Sequence, residues 1–586
     1  MSKTIYQDKI LNNNTKLRLI KKKLLVSSML RLSVFLATFF SMYLMFGNTP
    51  IVILILILGI VIFLFLISKH TDLLATKNYL QAVIEINKNE INGLNNDLNA
   101  FDNGKEYKNP QHHFSHDIDL YGENSFFHHI NRTNRKESEH LLASILSSNS
   151  IDNIEAKQQS ISELSQKVDW RQNFMVSTKL IESNVSSKAI FSWLHDYKSF
   201  ISKPFYYLAV VFPVLSLTVF VLYFLQVIPE LYLLYMLLLG LGITSLFLKK
   251  ITKLSNHASE FKDIMSQYSK LLIEIENQTF KSDLLKTKQD EIKTESKKAS
   301  EILNELSKHI NALDQRNNML FGVVGNGYLL WDIKQVYKIE QWISEYKSKV
   351  KNWFNVIEFF DAYNSLGNFA YNHPDFIYPK LSNQSVIEAE KLGHFMIDKS
   401  VRIANDVKID KNNFIIITGA NMAGKSTFLR TIALNIVSAN IGLPVCAESF
   451  VYNPIKLISS MRTSDSLLDD ESYFFSELKR LKFIVDEIKT DEYFIILDEI
   501  LKGTNSKDKE EGSKKFVQKL VASKSTGIIA THDLGLCTIA EQLPQVKNKY
   551  FDAEIVNNEL FFDYKYKEGI CKNMNASFLL KKMGIV

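Results

Sequence analysis

The chain has 586 residues, 46% hydrophobic and 23% charged, with 69 Lys and Arg against 63 Asp and Glu for a formal charge of +6. Such a composition excludes a disordered or fibrous protein and allows about four domain-sized units with sizeable cores, while so small a charge gives no argument of its own for a polyanionic partner. Three cysteines, Cys446, Cys537 and Cys571, without C-x-x-C spacing, exclude a disulfide framework and a zinc knuckle and fit a reducing cytosol.

Residues 1–23 read as a basic cytoplasmic tail carrying Lys16, Arg18, Lys21, Lys22 and Lys23. Residues 24–68 read as a transmembrane hairpin: Leu24–Phe46 and Ile51–Ser68, joined by GNTP, each supply close to the ~20 apolar residues of a span. Arg31 lies near the basic end, where a long side chain can snorkel. No cleavage-site pattern is present, so the segment reads as an anchor and not a signal peptide.

Residues 69–203 are mixed, with helical patterning over His140–Trp170 and a polar loop over Asp102–His116. The loop begins a local excess of histidine: His112, His113, His116, His128 and His129. A metal site joined by Asp117 or Asp119 is one reading; without a recognised ligand spacing, solvated or packing histidines are the other.

A second hairpin is expected over 204–249, from Phe205–Ile228 and Leu231–Leu248 around Pro229-Glu230. Runs without a polar face argue against buried core helices. Lys69, Lys203, Lys249, Lys250 and Lys253 flank the spans, and basic flanks prefer the cytoplasmic side. Both hairpins are therefore expected to enter and leave from the cytoplasm, giving a multi-pass protein of the cytoplasmic membrane with its soluble parts in the cytoplasm. Within 250–384, Phe261, Ile264, Tyr268, Leu271 and Ile275, then Ile302, Leu306, Ile310 and Leu313, recur at helical spacing and predict long amphipathic helices. Pro374 and Pro379 punctuate the end of this region.

The last domain, 385–586, carries the chemistry. FIIITGANMAGKST reads as strand, glycine-rich loop and helix, and Gly419–Ser426 fits G-x-x-x-x-G-K-[ST]. The backbone of Gly419, Ala420, Asn421, Met422, Ala423, Gly424, Lys425, Ser426 and Thr427 would cradle the phosphates of a nucleotide at a helix N-terminus. Lys425 would reach the β- and γ-phosphates and Ser426 would bind Mg2+. YFIILDEI ends a second strand at Asp498, a magnesium ligand, and Glu499, which would orient or deprotonate the attacking water. TGIIATHD ends a third at His532, placed to sense the γ-phosphate.

TGANMAGKSTFLR, SYFFSELKRL, LDEILKGTNS and IATHDL together resemble the ATPase domain of the MutS family, which belongs to the ABC-type ATPases. Asn421-Met422 matches that family's phosphate loop, Asp498, Glu499, Ile500, Gly503 and Thr504 its DEIxxGT, and Ser472, Phe474 and Glu477 its signature helix. The tail YKYKEGICKNMNASFLLKKMGI resembles the family's closing segment, and DIDLYGENSFFHHINRTNRKESEHLLASIL and WFNVIEFFDAYNSLGNFAYNHPDF resemble parts of its helical core. The resemblance implies an α/β P-loop (ABC-type) ATPase domain preceded by a mostly α-helical core, which the transmembrane hairpins interrupt here. It implies a homodimer in which Ser472 completes the partner's site in trans, with Gly503, Thr504 and Asn505 between the sites. The family's adenine-stacking aromatic falls on Arg402, ahead of Asn405, and a guanidinium plane can stack on a purine. Leu501 stands where a glycine often follows DEI, and Lys502 comes after it.

No stretch resembles the family's mismatch-reading domain; Phe475–Glu477 lies in the signature helix. The family resemblance alone implies DNA as a partner, in mismatch repair or recombination, without the family's reading domain. The alternative is an ATP-driven switch acting on the lipid bilayer or on a membrane or protein partner, with no DNA role.

Overall fold

The computed structural model describes residues 2–181, 185–295, 297–462, 473–556, 559–572 and 585. Its first apolar stretches lie inside two long helices, α1 (Ser2–Leu44) and α2 (Thr49–Leu94). Pro50 sits in the first turn of α2, where its missing N–H needs no partner, and no proline interrupts the body of either helix. The two pack together most closely at Gly59, where an added Cβ would lie 2.4 Å from Thr38 Cγ2. The basic segment expected as a tail is instead the first half of α1. Tyr6 there is fully buried and donates its hydroxyl to Asn372 Oδ1 at 2.8 Å, and Lys9 donates to Gln172 Oε1 at 2.8 Å. The far half of α2 is anchored likewise, with Ala82, Val83 and Ile86 against Met175 and Val176.

The second apolar region follows α3 (Ser187–Asp196) and consists of α4 (Lys203–Phe224) and α5 (Leu231–Ser245), continued by α6 (Leu248–Glu276) after a 68° bend. The expected leg Leu231–Leu248 is therefore cut at Ser245. Its 15 residues cover about 22 Å, less than a ~30 Å hydrocarbon core. α7 (Ala299–Asp314) packs on α6 through the apolar face that the spacing predicts. After it comes a short apolar helix, α8 (Met319–Leu329), which lies against α4 and α5. An added Cβ on Gly240 would meet the Gly327 carbonyl oxygen at 2.2 Å, so only glycine permits this approach. Among the described residues three helices are long and apolar enough to cross a membrane, or four if the bent pair is one span. Phe40, Leu54, Phe65, Val214 and Leu217 on these helices are all more than half exposed.

α9 (Trp331–Asn372) is the 42-residue spine of the helical region. It starts beside α8, buries Trp353, Phe354 and Phe360 along its length, and ends at the α/β region, where Phe369 meets Phe395. That region holds β1 (Lys380–Leu381), β2 (Ile387–Leu392), β3 (Asn405–Ile409), β4 (Phe414–Gly419), β5 (Ser449–Tyr452), β6 (Lys456–Ser460), β7 (Tyr493–Asp498), β8 (Thr526–Ala530), β9 (Val546–Phe551), β10 (Glu554–Val556), β11 (Glu559–Phe561) and β12 (Lys567–Glu568). Six strands form a sheet in the order β12-β9-β4-β8-β7-β6, parallel except for β12. A four-stranded sheet, β1-β5-β2-β3, stands beside it. The unbroken apolar runs of β4, β7 and β8 reflect burial on both faces, between helices that include α10 (Lys425–Asn440), α11 (Tyr473–Glu487) and α12 (Ser506–Ala522).

Removing one partner of a buried ion pair strands the other charge. Arg132 Nε lies 2.6 Å from Glu90 Oε1, both buried, and Asn372 also donates to Glu90 at 2.9 Å. Glu90→Ala is expected to cost about 3–5 kcal/mol of local stability, read as an earlier loss of helical circular dichroism on heating in detergent. An unchanged transition would show that α2 is not tied to the helical region through this pair.

Candidate functional site

Parallel register builds the site. Ala530 of β8 stands opposite both Ile417 of β4 and Asp498 of β7, so the three strands end at one level. Gly419, Asp498-Glu499 and Thr531-His532, far apart in sequence, thus meet at the carboxyl edge of the sheet, where open α/β sheets hold ligands. A cavity of about 510 Å3 opens there. Asn421, Met422, Gly424, Lys425, Ser426 and Thr427 line it together with Asp498, Glu499, Lys502 and Asn405.

The loop leaves β4 in backbone conformations that L-residues avoid. Met422 has φ +67° and Gly424 φ +96°, and Met422 is held there although its side chain is 76% exposed. Ala423 is buried and its N–H donates to Ala420 O at 3.3 Å. The 16-residue α10 begins at Lys425 with no side-chain cap, leaving its first N–H groups to an anion. Lys425 is buried, with Nζ 2.8 Å from Gly419 O, 3.0 Å from Ala420 O and 3.2 Å from His532 Nε2. Burial pulls its pKa down, while Glu499 and Asp498 oppose the shift.

The two carboxylates differ. Burial raises the Asp498 pKa, opposed by a hydrogen bond from Ser426. Glu499 Oε1 lies 2.9 Å from His532 Nε2, and this bond, against a desolvation cost, holds its pKa at about 2. Glu499 is therefore an ionised acceptor at neutral pH. Its backbone is left-handed, φ +51°, and its N–H is held by Ala530 O at 2.9 Å. Leu501 follows at φ +58°, a strain of about 1–2 kcal/mol for a residue with a Cβ. Burial of its side chain, worth about 1.5–3 kcal/mol, offsets that strain.

α11 fixes the turn after Glu499. Glu477 is buried and accepts from Lys502 N at 3.0 Å, and the backbone of the 501–503 turn opposes the rise in its pKa that burial causes. Phe474 closes on Gly503 so tightly that an added Cβ would lie 2.8 Å from its Cβ. Asn505 caps α12, accepting from Asp508 N at 3.0 Å. The motif matched both α11 residues without showing this clamp, which depends on a contact between distant segments. Ser472, expected to act in trans, lies outside the described residues, as do most of the closing helical segment's positions.

Arg402 is corrected. Its Nη1 lies 2.9 Å from Cys446 Sγ and its guanidinium stands over Phe376, so it does not line the cavity. The neighbouring Val401 and Ile403, with His394, Phe551 and Tyr564, form that wall. Asn405 does line it, but its amide is engaged by the Tyr564 carbonyl at 3.1 Å and Tyr566 N at 2.9 Å.

Three of the five clustered histidines are held by hydrogen bonds within the fold. His112 Nε2 lies 3.0 Å from Ser147 O, His128 Nε2 3.0 Å from Leu98 O, and His113 Nε2 3.1 Å from Glu487 Oε2. Burial lowers the pKa of His129 to about 4. Asp117 and Asp119, the suggested metal partners, join the helical and α/β regions instead. Asp117 accepts from Ser459 Oγ at 2.6 Å and Arg462 N at 2.9 Å, and Asp119 takes the Arg462 guanidinium with both oxygens. Arg480 crosses the same joint to the carbonyls of His112 and His113. Among the described residues the ligand cluster that could suit a metal ion is Asp102, Glu106 and Glu139, and Lys136 Nζ already fills it at 2.9–3.0 Å.

The family profile MutS domain V matches residues 415–581. MutS protein homolog 4 of Homo sapiens is 33% identical over 181 residues, 30% of this chain and 19% of that protein. The DNA mismatch repair protein MutS of Staphylococcus haemolyticus is 26% identical over 239 residues (40% and 27%), and that of Syntrophomonas wolfei 29% over 246 residues (41% and 28%). The matched region thus spans under a third of each of these relatives.

Loss of a buried acceptor leaves its N–H donor unsatisfied and costs about 1–3 kcal/mol. Glu477→Ala is therefore expected to speed tryptic cleavage after Lys502 by about tenfold, cleavage following the open population. An unchanged rate would remove Glu477 as the clamp.

Proposed function

The chain belongs to the MutS family through residues 415–581, and from that premise we propose that it is a membrane-anchored ATPase whose nucleotide cycle switches its helical region. The convergence of Lys425, Ser426, Asp498 and Glu499 on one cavity at the strand ends, with His532 in contact with both Glu499 and Lys425, carries this reading. The free N–H groups of α10 and the loop suit phosphate oxygens. Lys425 supplies a desolvated positive charge for the outer phosphates. Ser426 and Asp498, which line the cavity together, offer the oxygen ligands that a hard cation takes, so they fit Mg2+. When bound, that ion would supply neutralisation of phosphate charge. Glu499 is the acceptor that orients water and takes its proton, and His532 fixes its carboxylate while touching Lys425.

Two further parts of the reading rest on other observations. The exposed apolar sides of α1, α2, α4 and α5 far exceed the few hundred Å2 of apolar patch that soluble monomers show, which supports insertion in a bilayer. α9 runs from the foot of the second hairpin to the α/β region, a continuous element through which closure on ATP can reach the bilayer. A dimer with Ser472 acting in trans, and DNA as the load, come from the family; the relatives' names supply mismatch repair. The position of α9 favours a second reading, in which the load is a membrane or protein partner.

Lys425→Ala is expected to weaken ATP binding, and Glu499→Gln to keep binding while turnover falls about 10²–10⁴-fold. Equilibrium binding and phosphate release check both, and full turnover in Glu499→Gln would remove its role as base. Lys425→Ala mixed with Ser472→Ala should regain at most one working site per dimer. Mobility shifts with matched, mismatched and branched DNA across a salt series separate the two loads; binding no tighter to any structure than to plain duplex removes DNA reading.

A further inference from the structure

The cavity of about 840 Å3 beneath the second hairpin is larger than the one at the strand ends, and the ATPase reading leaves it without a role. Trp193, Phe200 and Phe261 line it with Lys198, Lys250 and Lys253. Its place is set by the hairpin: Lys250 is two residues past the start of α6, and Lys198 and Phe200 come just before α4. On α6, Lys250, Lys253, His257 and Phe261 recur at i, i+3, i+7 and i+11 and so share one face, while Ile251, Ser255 and Ala258 turn inward and are buried. The three lysines make no ion pair among the described residues, although Lys250 Nζ lies over the Phe200 ring at 5.7 Å. Against them stand Asp196, engaged by His195 at 3.0 Å, and Glu260. The balance favours an anion, and the aromatic wall favours an amphiphile over a bare ion.

The rim is also tied to the spine. Glu340 of α9 is buried and accepts from Tyr197 Oη at 2.9 Å, Phe200 N at 2.8 Å and Ile201 N at 3.1 Å. Whatever fills the cavity therefore presses on a segment held by the same helix that reaches the α/β region.

We propose that this cavity binds a phospholipid with an anionic headgroup, its phosphate held by Lys250 and Lys253 and the start of its acyl chains laid along Trp193 and Phe261. The proposal rests on the membrane anchoring inferred above. The test is native mass spectrometry of the full chain in detergent, titrated with dioleoylphosphatidylglycerol, with dioleoylphosphatidylcholine and with inorganic phosphate. Retention of phosphatidylglycerol over phosphatidylcholine by about tenfold is expected, since each lysine contributes severalfold near an anionic surface. Lys250→Gln with Lys253→Gln should reduce that preference to about twofold. Both lysines are exposed, and an unaltered circular dichroism melt identifies the variant as folded.

Equal retention of the two lipids, or a preference that survives the double variant, overturns the site. Inorganic phosphate that binds as tightly as phosphatidylglycerol overturns the lipid assignment in favour of a free anion. Carbonate washing of native membranes separates the premise from the site. A chain that stays in the pellet but shows no lipid preference loses only this site, and a chain released to the supernatant loses the anchor and the site together.

Discussion

The common level at which β4, β7 and β8 end is the constraint on which the rest depends. Parallel pairing with Ala530 opposite Ile417 and Asp498 leaves no freedom in where Gly419, Glu499 and His532 emerge. Those positions bring an imidazole within about one hydrogen-bond length of both an acid and a lysine. In a half-buried site such contacts are strong enough to set charge states: Glu499 stays ionised although burial opposes it. A one-residue slip in any strand would turn its residues to the other face and dissolve the constellation.

From that edge, contacts lead outward in discrete steps. Glu477 and Phe474 grip the 501–503 turn, which couples α11 to the segment that bears Glu499. Arg480, on the same helix, grips the loop at 112–113, and Asp117 and Asp119 grip the strand end at 459–462. A shift of α11 is therefore felt in the helical region through hydrogen bonds and not only through soft packing. α9 carries it further, to Glu340 and the segment beneath the second hairpin. This is a contiguous physical path of hydrogen bonds and one continuous helix.

Much of the site was legible because its parts are local in sequence. A strand, a glycine-rich loop and a helix start within 14 residues, and an acidic pair at the end of an apolar run, are short-range patterns. The apolar stretches near residues 24–68 and 204–249 were legible for the same reason. What composition could not reveal was their continuation. Ser2–Leu44 is one helix because nothing at residues 20–24 breaks it, and Tyr6 is buried only because the end of α9 lies beside it. The close approach of α8 to α5 depends on Gly240 meeting Gly327, residues 87 apart. Arg402 was misplaced because its direction is set by Cys446 and Phe376, neither of which is its neighbour in the chain.

By itself the sequence determined which residue types stand together in a phosphate-loop pattern and at an acidic strand end, the pattern on which the proposed chemistry rests, and which stretches avoid water. These follow from side-chain identity and from periodicities of two and 3.6 residues, both local properties. Tertiary structure alone decided which wall the ligand cavity has, that the histidines satisfy backbone carbonyls and a carboxylate, that two aspartates join two regions, and that a lysine-rimmed cavity lies under the second hairpin. Each of these depends on the direction of a side chain relative to a partner far along the chain. That direction is set by packing, where the cost of an unpaired buried polar group selects one arrangement out of many.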